Sequence, residues 1–253
     1  MGKGLNVLTR FANGIRKLLG RLCGRNQVLL IVALALILRL AAVSWVGWDR
    51  AAFGDARAYL SAAGQLCETG TYPAQGDLPF FRAPGLPFAI AAGTLCRSRE
   101  VWLVKMWLAL FDTATVLVIP ALGRVLLRSE PLARLAALAA AVNPVFLDQV
   151  ADVRTEPLFM LLLSAALLCF LTAWTRRKKN PARLLMTAGS RLGLAALTRP
   201  SALIGVPVFA VVWIARGRPT RRRAAGALAL VAAAAAVLSP WMVRNALALQ
   251  GAD

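Results

Sequence analysis

Residues 27–46 read QVLLIVALALILRLAAVSWV. Arg39 is the one charge in this run, and twenty residues at about 1.5 Å each are enough to cross a hydrocarbon core of about 30 Å. Lys3, Arg10, Arg16, Lys17, Arg21 and Arg25 stand ahead of it, and Asp49 follows it. Under the positive-inside rule this predicts a spanning helix with a cytoplasmic N-terminal flank. The run is too long for the h-region of a signal peptide and no small-residue cleavage pattern follows it, so the helix is expected to stay in the protein.

The same reading extends outward along the 253-residue chain, which is 59% hydrophobic with a mean hydropathy of +0.65. Its apolar runs are continuous and rich in Ala and Leu rather than alternating, which favours helices over barrel strands. Further helices are predicted near 101–122, 132–146, 157–174, 184–197, 202–215 and 224–243. The expectation is an all-α polytopic membrane bundle of about seven transmembrane helices with the C-terminus outside. The stretches 184–197 and 202–215 are short for a bilayer, so they are expected to extend into flanking polar residues or to sit where the bilayer thins. Residues 1–26 then form a basic cytoplasmic N-terminus, 27–245 a transmembrane module with an outer loop at 48–100, and 246–253 a C-terminal tail.

Charge agrees with that topology. Asp and Glu number 11 against 30 Lys and Arg, and the acids gather in two connections, Asp49 to Glu100 and Asp148 to Glu156. Basic clusters occupy other connections, at Arg176 to Arg183 and Arg216 to Arg223. Both acidic connections are therefore expected on the outer face. A net charge of +19 would suit phosphate binding, but it is distributed as loop clusters and no nucleic-acid module is present, so no nucleic-acid partner is expected. The basic clusters set topology and meet anionic membrane lipids.

Within the outer loop, residues 55–67 and 88–95 have the look of helices too short to span. They are expected to lie at the membrane surface and cover a cavity. Cys67 and Cys96 share this loop. A disulfide suits an oxidising compartment, and two free buried thiols explain the pair equally well.

Several residues could carry chemistry, and each has a plainer explanation. Asp55 and Tyr59, four apart, share a helix face, while Asp55 alone is also an ordinary carboxylate near a helix N-terminus. Arg82, in Phe81-Arg82-Ala83-Pro84-Gly85, offers a planar fork suited to phosphate; alone it is equally an interfacial arginine that snorkels. Glu156, ahead of Pro157, is placed as a helix cap. Arg199-Pro200 and Pro240-Trp241 with Arg244-Asn245 put two more arginines at predicted outward helix ends.

Taken in order, these motifs resemble one family. Gly54-Asp55 with Tyr59, Gly70 to Tyr72, Arg82-Ala83-Pro84-Gly85, Asn143-Pro144, Thr155-Glu156-Pro157-Leu158-Phe159, Leu197-Thr198-Arg199-Pro200 and Pro240-Trp241 with Arg244-Asn245 are similar to the polytopic GT-C glycosyltransferases that use polyprenyl-phosphate sugars. Protein O-mannosyltransferases and lipid A aminoarabinose transferases are among them. The resemblance covers about Val28 to Asn245. It implies transfer of a sugar from a polyprenyl-phosphate-linked donor to a lipid, glycan or protein acceptor on the outer face of a bacterial cytoplasmic membrane. Asp55 would be the base or orienting group, Glu156 the second acid, and Arg82, Arg199 and Arg244, with Tyr59, would bind the substrate. Arg82 stands where many relatives carry a lysine before a Pro-Pro pair. Relatives typically continue with more helices, whereas this sequence stops at Asp253, so a natural short form, a half that needs a partner subunit and a truncated product are all open.

No cofactor is expected. The chain has no His and no convincing phosphate loop, and no metal site is assigned, although a divalent ion near Asp55 and Glu156 stays open because carboxylates are hard ligands. A non-catalytic membrane subunit is the main alternative, and a transporter the lesser one. Transporters place ionisable groups within several spans. Here only Arg39 and Asp112 sit inside long runs; Arg39 is expected to snorkel and Asp112 to pair within the bundle.

Overall fold

A computed structural model describes residues 25–51, 54–73, 82–97, 100–175, 181–216 and 220–250. The basic N-terminus as far as Gly24, Phe53, Asp77, Phe81, the basic run at 176–180, and Arg218 lie outside the described residues. In chain order the helices are α1 (Arg25–Val46), α2 (Gly54–Thr69), α3 (Gly85–Gly93), α4 (Val101–Leu127), α5 (Glu130–Val142), α6 (Pro144–Ala151), α7 (Glu156–Thr175) and α8 (Ala182–Thr198). A 3₁₀ turn (Pro200–Ile204), α9 (Gly205–Ala215) and α10 (Arg221–Gln250) complete the fold. No strand occurs among the described residues.

The fold is the all-helical membrane bundle that hydropathy predicts, and among the described residues four or five of the about seven expected spans are long and apolar enough to cross. By length and composition, α1, α4, α7 and α10 can each cross a membrane, and α5 with α6, bent by 44°, makes a fifth if the pair is one span. Seventeen residues of α8 give only about 25 Å, and the segment Pro200–Ala215 is also short. Neither needs full length to find partners, because α8 packs between α7 and α10.

Expected to end at 122 and 243, α4 and α10 continue to Leu127 and Gln250, with Pro120 and Pro240 inside them. A proline withholds one helix donor from the carbonyl four residues earlier. At Pro240 that carbonyl belongs to Ala236, and the Ser239 hydroxyl donates to it at 3.1 Å, so the helix continues to Gln250 and takes in much of the expected tail. At Asn143-Pro144 no such repair is made within the helix, and the predicted helix 132–146 divides into α5 and α6. Asn143 ends one and caps the next, its Oδ1 accepting from Val145 N–H at 2.9 Å.

Arg39 does not snorkel. Its side chain is fully buried, and Nε donates to Asp112 Oδ2 at 2.5 Å, tying α1 to α4. The two ionisable groups on which a transporter reading turned are therefore paired with each other.

Cys67 and Cys96 form a disulfide with Cα atoms 5.5 Å apart, joining the end of α2 to the turn after α3. These short helices use Ala56, Ala63, Leu86 and Ile90 to pack on Val104 and Leu108 of α4 and Leu158 of α7. The second half of the bundle centres on Phe170, Leu185, Leu192, Trp213 and Leu230, drawn from α7 to α10. There α8 meets α10 through Gly189 and Gly193, a small-xxx-small pair that lets backbones approach without a hydrophobic driving force. A Cβ at Gly189 would strike the backbone carbonyl of Leu230. Gly189→Val is expected to destabilise the bundle by the roughly 1–3 kcal/mol typical of overpacking, read as a lower thermal unfolding midpoint in detergent micelles; an unchanged midpoint would contradict this packing.

Candidate active site

Four segments converge at the end of the bundle where α7 begins and α8 finishes. The first turn of α2 carries Asp55, where the helix dipole favours a carboxylate, and Tyr59 follows one turn later. Arg82 and Ala83 come from the approach to α3. Asp152 to Glu156 link α6 to α7, and Thr198 to Ser201 link α8 to the 3₁₀ turn. Together these residues line a cavity of about 790 Å³. Both acidic connections thus face one hollow.

Two carboxylate–arginine pairs lie in it. Arg82 Nη2 sits 2.5 Å from Asp55 Oδ1, and its guanidinium carbon lies 5.5 Å from the Tyr59 ring centroid. Arg199 Nη1 donates to Glu156 Oε1 at 2.5 Å and lies over the Phe159 ring at 5.8 Å. Thr155 Oγ1 donates to Glu156 Oε2 at 3.3 Å. The Asp55 side chain is 69% exposed, so an incoming molecule can reach it. Burial on its own would lower the Arg82 guanidinium, yet hydrogen bonds to Asp55 and Tyr59 outweigh it and hold the group above an ordinary arginine. Its charge is therefore permanent.

Beside this polar cavity runs an apolar groove of about 800 Å³. Leu66, Tyr72, Phe88, Leu158, Leu162, Leu194, Val237 and Trp241 are among its walls, and Thr198 is shared with the polar cavity. The junction depends on Gly85. A Cβ there would come 2.6 Å from Thr198 Oγ1 and 2.7 Å from Thr198 N, so a larger residue would push the start of α3 off the end of α8.

Asp55, Tyr59, Arg82, Glu156 and Arg199 are brought together in the polar cavity, whereas Arg244 lies at the apolar groove. There Arg244 Nη2 donates to the Tyr72 carbonyl at 2.9 Å and Nη1 to Asn245 Oδ1 at 3.1 Å, with the Trp241 ring 5.1 Å away. It fastens the Gly70 to Tyr72 turn to α10. Sequence reasoning passed over Asp152, Arg154, Thr198 and Ser201 as site residues. Their signal was adjacency: each lies within four residues of Glu156 or Arg199. Among the described residues no three His, Cys, Asp or Glu side chains cluster as a metal site.

Residues 81–243 match the family model described as dolichyl-phosphate-mannose-protein mannosyltransferase. The match covers more than half of the chain. The chain belongs to this family. It is thus a multi-pass membrane protein of a glycosyltransferase family of GT-C type. Comparison with curated proteins and with solved structures yields no match. In this mannosyltransferase-family chain the matched span holds Arg82, Glu156 and Arg199, while Asp55 and Tyr59 precede it and Arg244 follows it by one residue.

Tyr72 is the hinge between cavity and groove. Its hydroxyl donates to the Arg82 carbonyl at 3.2 Å, and its ring packs edge-on to Trp241, with centroids 4.9 Å apart. Burial, with the neighbouring Tyr59 adding to it, pushes its hydroxyl from 10.0 up to about 12. A raised pKa in the folded state means the contact's contribution is intact below pH 10 and fades as pH climbs toward 12. In a Tyr59→Phe variant, which leaves Tyr72 as the one tyrosine of two, burial remains as the main raising cause, and ultraviolet titration is expected to show tyrosinate forming above pH 10; a midpoint near 10 would show Tyr72 to be solvated.

Proposed function

We propose that this protein transfers a sugar from a polyprenyl-phosphate donor to a hydroxyl or amine of an acceptor in the Asp55–Glu156 cavity. One observation carries the reading: a polar cavity lined by three arginines and three carboxylates lies beside an apolar groove, with Thr198 in the wall of both. A molecule with a phosphosugar head and a hydrocarbon tail fits that junction as neither a soluble sugar nucleotide nor a plain lipid would.

The tail lies along Phe88, Leu162, Leu194 and Trp241. At the head, Arg82 and Arg199 exchange their carboxylate partners for phosphate oxygens, which a guanidinium fork suits. The acceptor atom bonds to the anomeric carbon as the bond from that carbon to the phosphate oxygen breaks. Its electron pair leaves with the phosphate, where the two arginines stabilise the charge. Asp55, released from Arg82, takes the acceptor's proton. Glu156 aims Arg199 and is the second carboxylate available to the acceptor. Charge stabilisation in this step comes from the two arginines.

The cavity belongs on the extracytoplasmic face of a bacterial cytoplasmic membrane. The positive-inside distribution supports that orientation, and so does a disulfide beside the cavity, since such bonds persist in oxidising compartments. The acceptor is then a lipid, glycan or protein exposed on that face.

In membranes containing Asp55→Asn, transfer from a polyprenyl-phosphate sugar is expected to fall by about 10²–10⁴-fold, the range for loss of a general base, with expression unchanged. Undiminished turnover would remove Asp55 from the mechanism.

A further inference from the structure

The Asn143-Pro144 break leaves a debt in the hydrogen bonding of α5. Pro144 has no N–H to give the carbonyl of Ala140, and the N–H of Val145, which would otherwise serve Ala141, goes to the Asn143 side chain at 2.9 Å. Ala140 and Ala141 are buried, so bulk water cannot take over. An unsatisfied carbonyl in such a place is strongly unfavourable.

Arg39 meets both. From α1, Nη2 donates to the Ala140 carbonyl at 3.3 Å and Nη1 to the Ala141 carbonyl at 2.9 Å, while Nη1 also reaches Ala35 O at 3.0 Å on its own helix. Asp112 on α4 neutralises the charge and fixes the plane of the guanidinium through Nε. We infer that Arg39, anchored by Asp112, is a positioning residue: it replaces the two helix donors lost at Asn143-Pro144 and holds the bend that delivers Asp152 to Glu156 to the cavity.

The magnitude of that bend gives the inference its weight. It measures 44°, and α6 is eight residues long, about 12 Å. Straightening it would swing the Ala151 end by about 9 Å by that geometry, far beyond the 2.5 Å contact between Glu156 and Arg199. Stability alone is a poor explanation for the pair. A buried ion pair is often replaceable by apolar residues of similar volume without loss, and Asp112 Oδ1 is buried with no hydrogen-bond partner among the described residues. An apolar replacement here would leave two carbonyls bare for as long as Pro144 remains.

The inference rests on the proposed function only for what the cavity does, and the test separates the two. The full chain is placed in lipid nanodiscs with Cys23 and Cys169 replaced by alanine, and spin labels are attached at Leu126→Cys and Asp148→Cys. R39M/D112L is expected to unfold at a lower temperature, to broaden the label distance distribution, and to lose at least tenfold in transfer. Adding P144A restores an N–H for Ala140. The triple variant is expected to regain its unfolding temperature while showing a single label distance shifted by several ångströms and still lacking transfer. A triple variant with the wild-type label distance would overturn the inference, whatever its activity. So would one with a shifted distance and full transfer. A shifted distance in a protein whose wild type transfers no sugar would sustain the bend device and refute the proposed function.

Discussion

Hydrocarbon supplies no hydrogen bonds, so a carbonyl freed by a proline inside the bundle needs a donor from the protein, and at two prolines of this chain a side chain supplies it. Ser239 repairs the Pro240 gap locally and α10 runs on. Arg39 repairs the Asn143-Pro144 gap from another helix, and the chain bends. These two solutions to one constraint determine which proline is a detail of a long span and which redirects the backbone. The site depends on the second, because the segment from Asp152 to Glu156 reaches the cavity only after that turn.

Satisfied pairing extends into the cavity itself. Asp55 with Arg82 and Glu156 with Arg199 are charge-assisted contacts at 2.5 Å, yet all four side chains keep access to solvent. Exposed pairs of this kind contribute little to stability, which leaves their arginines available to a competing anion. A phosphate bearing more charge than one carboxylate can draw them across. Tyr72 and Gly85 govern the geometry around this exchange: the first pins the Arg82 backbone to the wall of the groove, and the second lets α3 lie directly against Thr198.

Much of this was legible in the sequence, for a physical reason. A span must satisfy its backbone internally over about 30 Å, so α1, α4, α7 and α10 announce themselves as long apolar runs. Their ends were harder to read. Apolar periodicity fades before α4 and α10 end at Leu127 and Gln250, and the stretch that becomes α8 was already short for a bilayer before its packing partners were known. Asp55, Tyr59, Arg82, Glu156 and Arg199 could be picked out by the order of motifs, but their meeting could not, since Glu156 and Arg199 are 43 residues apart and nothing local records it. Arg39 was misread for the same reason. Its depth in α1 permits snorkelling, and only the position of Asp112 across the bundle removes the need. A single sequence gives the depth of Arg244 along α10 but not the face it occupies, so its place beside Trp241 on the groove was also hidden.

The central claim is that one amphiphilic molecule occupies the polar cavity and the apolar groove together. Photo-crosslinking with two polyprenyl-phosphate probes tests it most directly, one reactive next to the phosphate and the other partway along the chain. The account predicts saturable labelling of 152–156 and 198–201 by the first probe, and of Phe88, Leu162 and Trp241 by the second, each competed by unlabelled polyprenyl phosphate. Saturable labelling of the opposite end of the bundle by the head probe, or of exposed α9 residues such as Val211 by the tail probe, would contradict it.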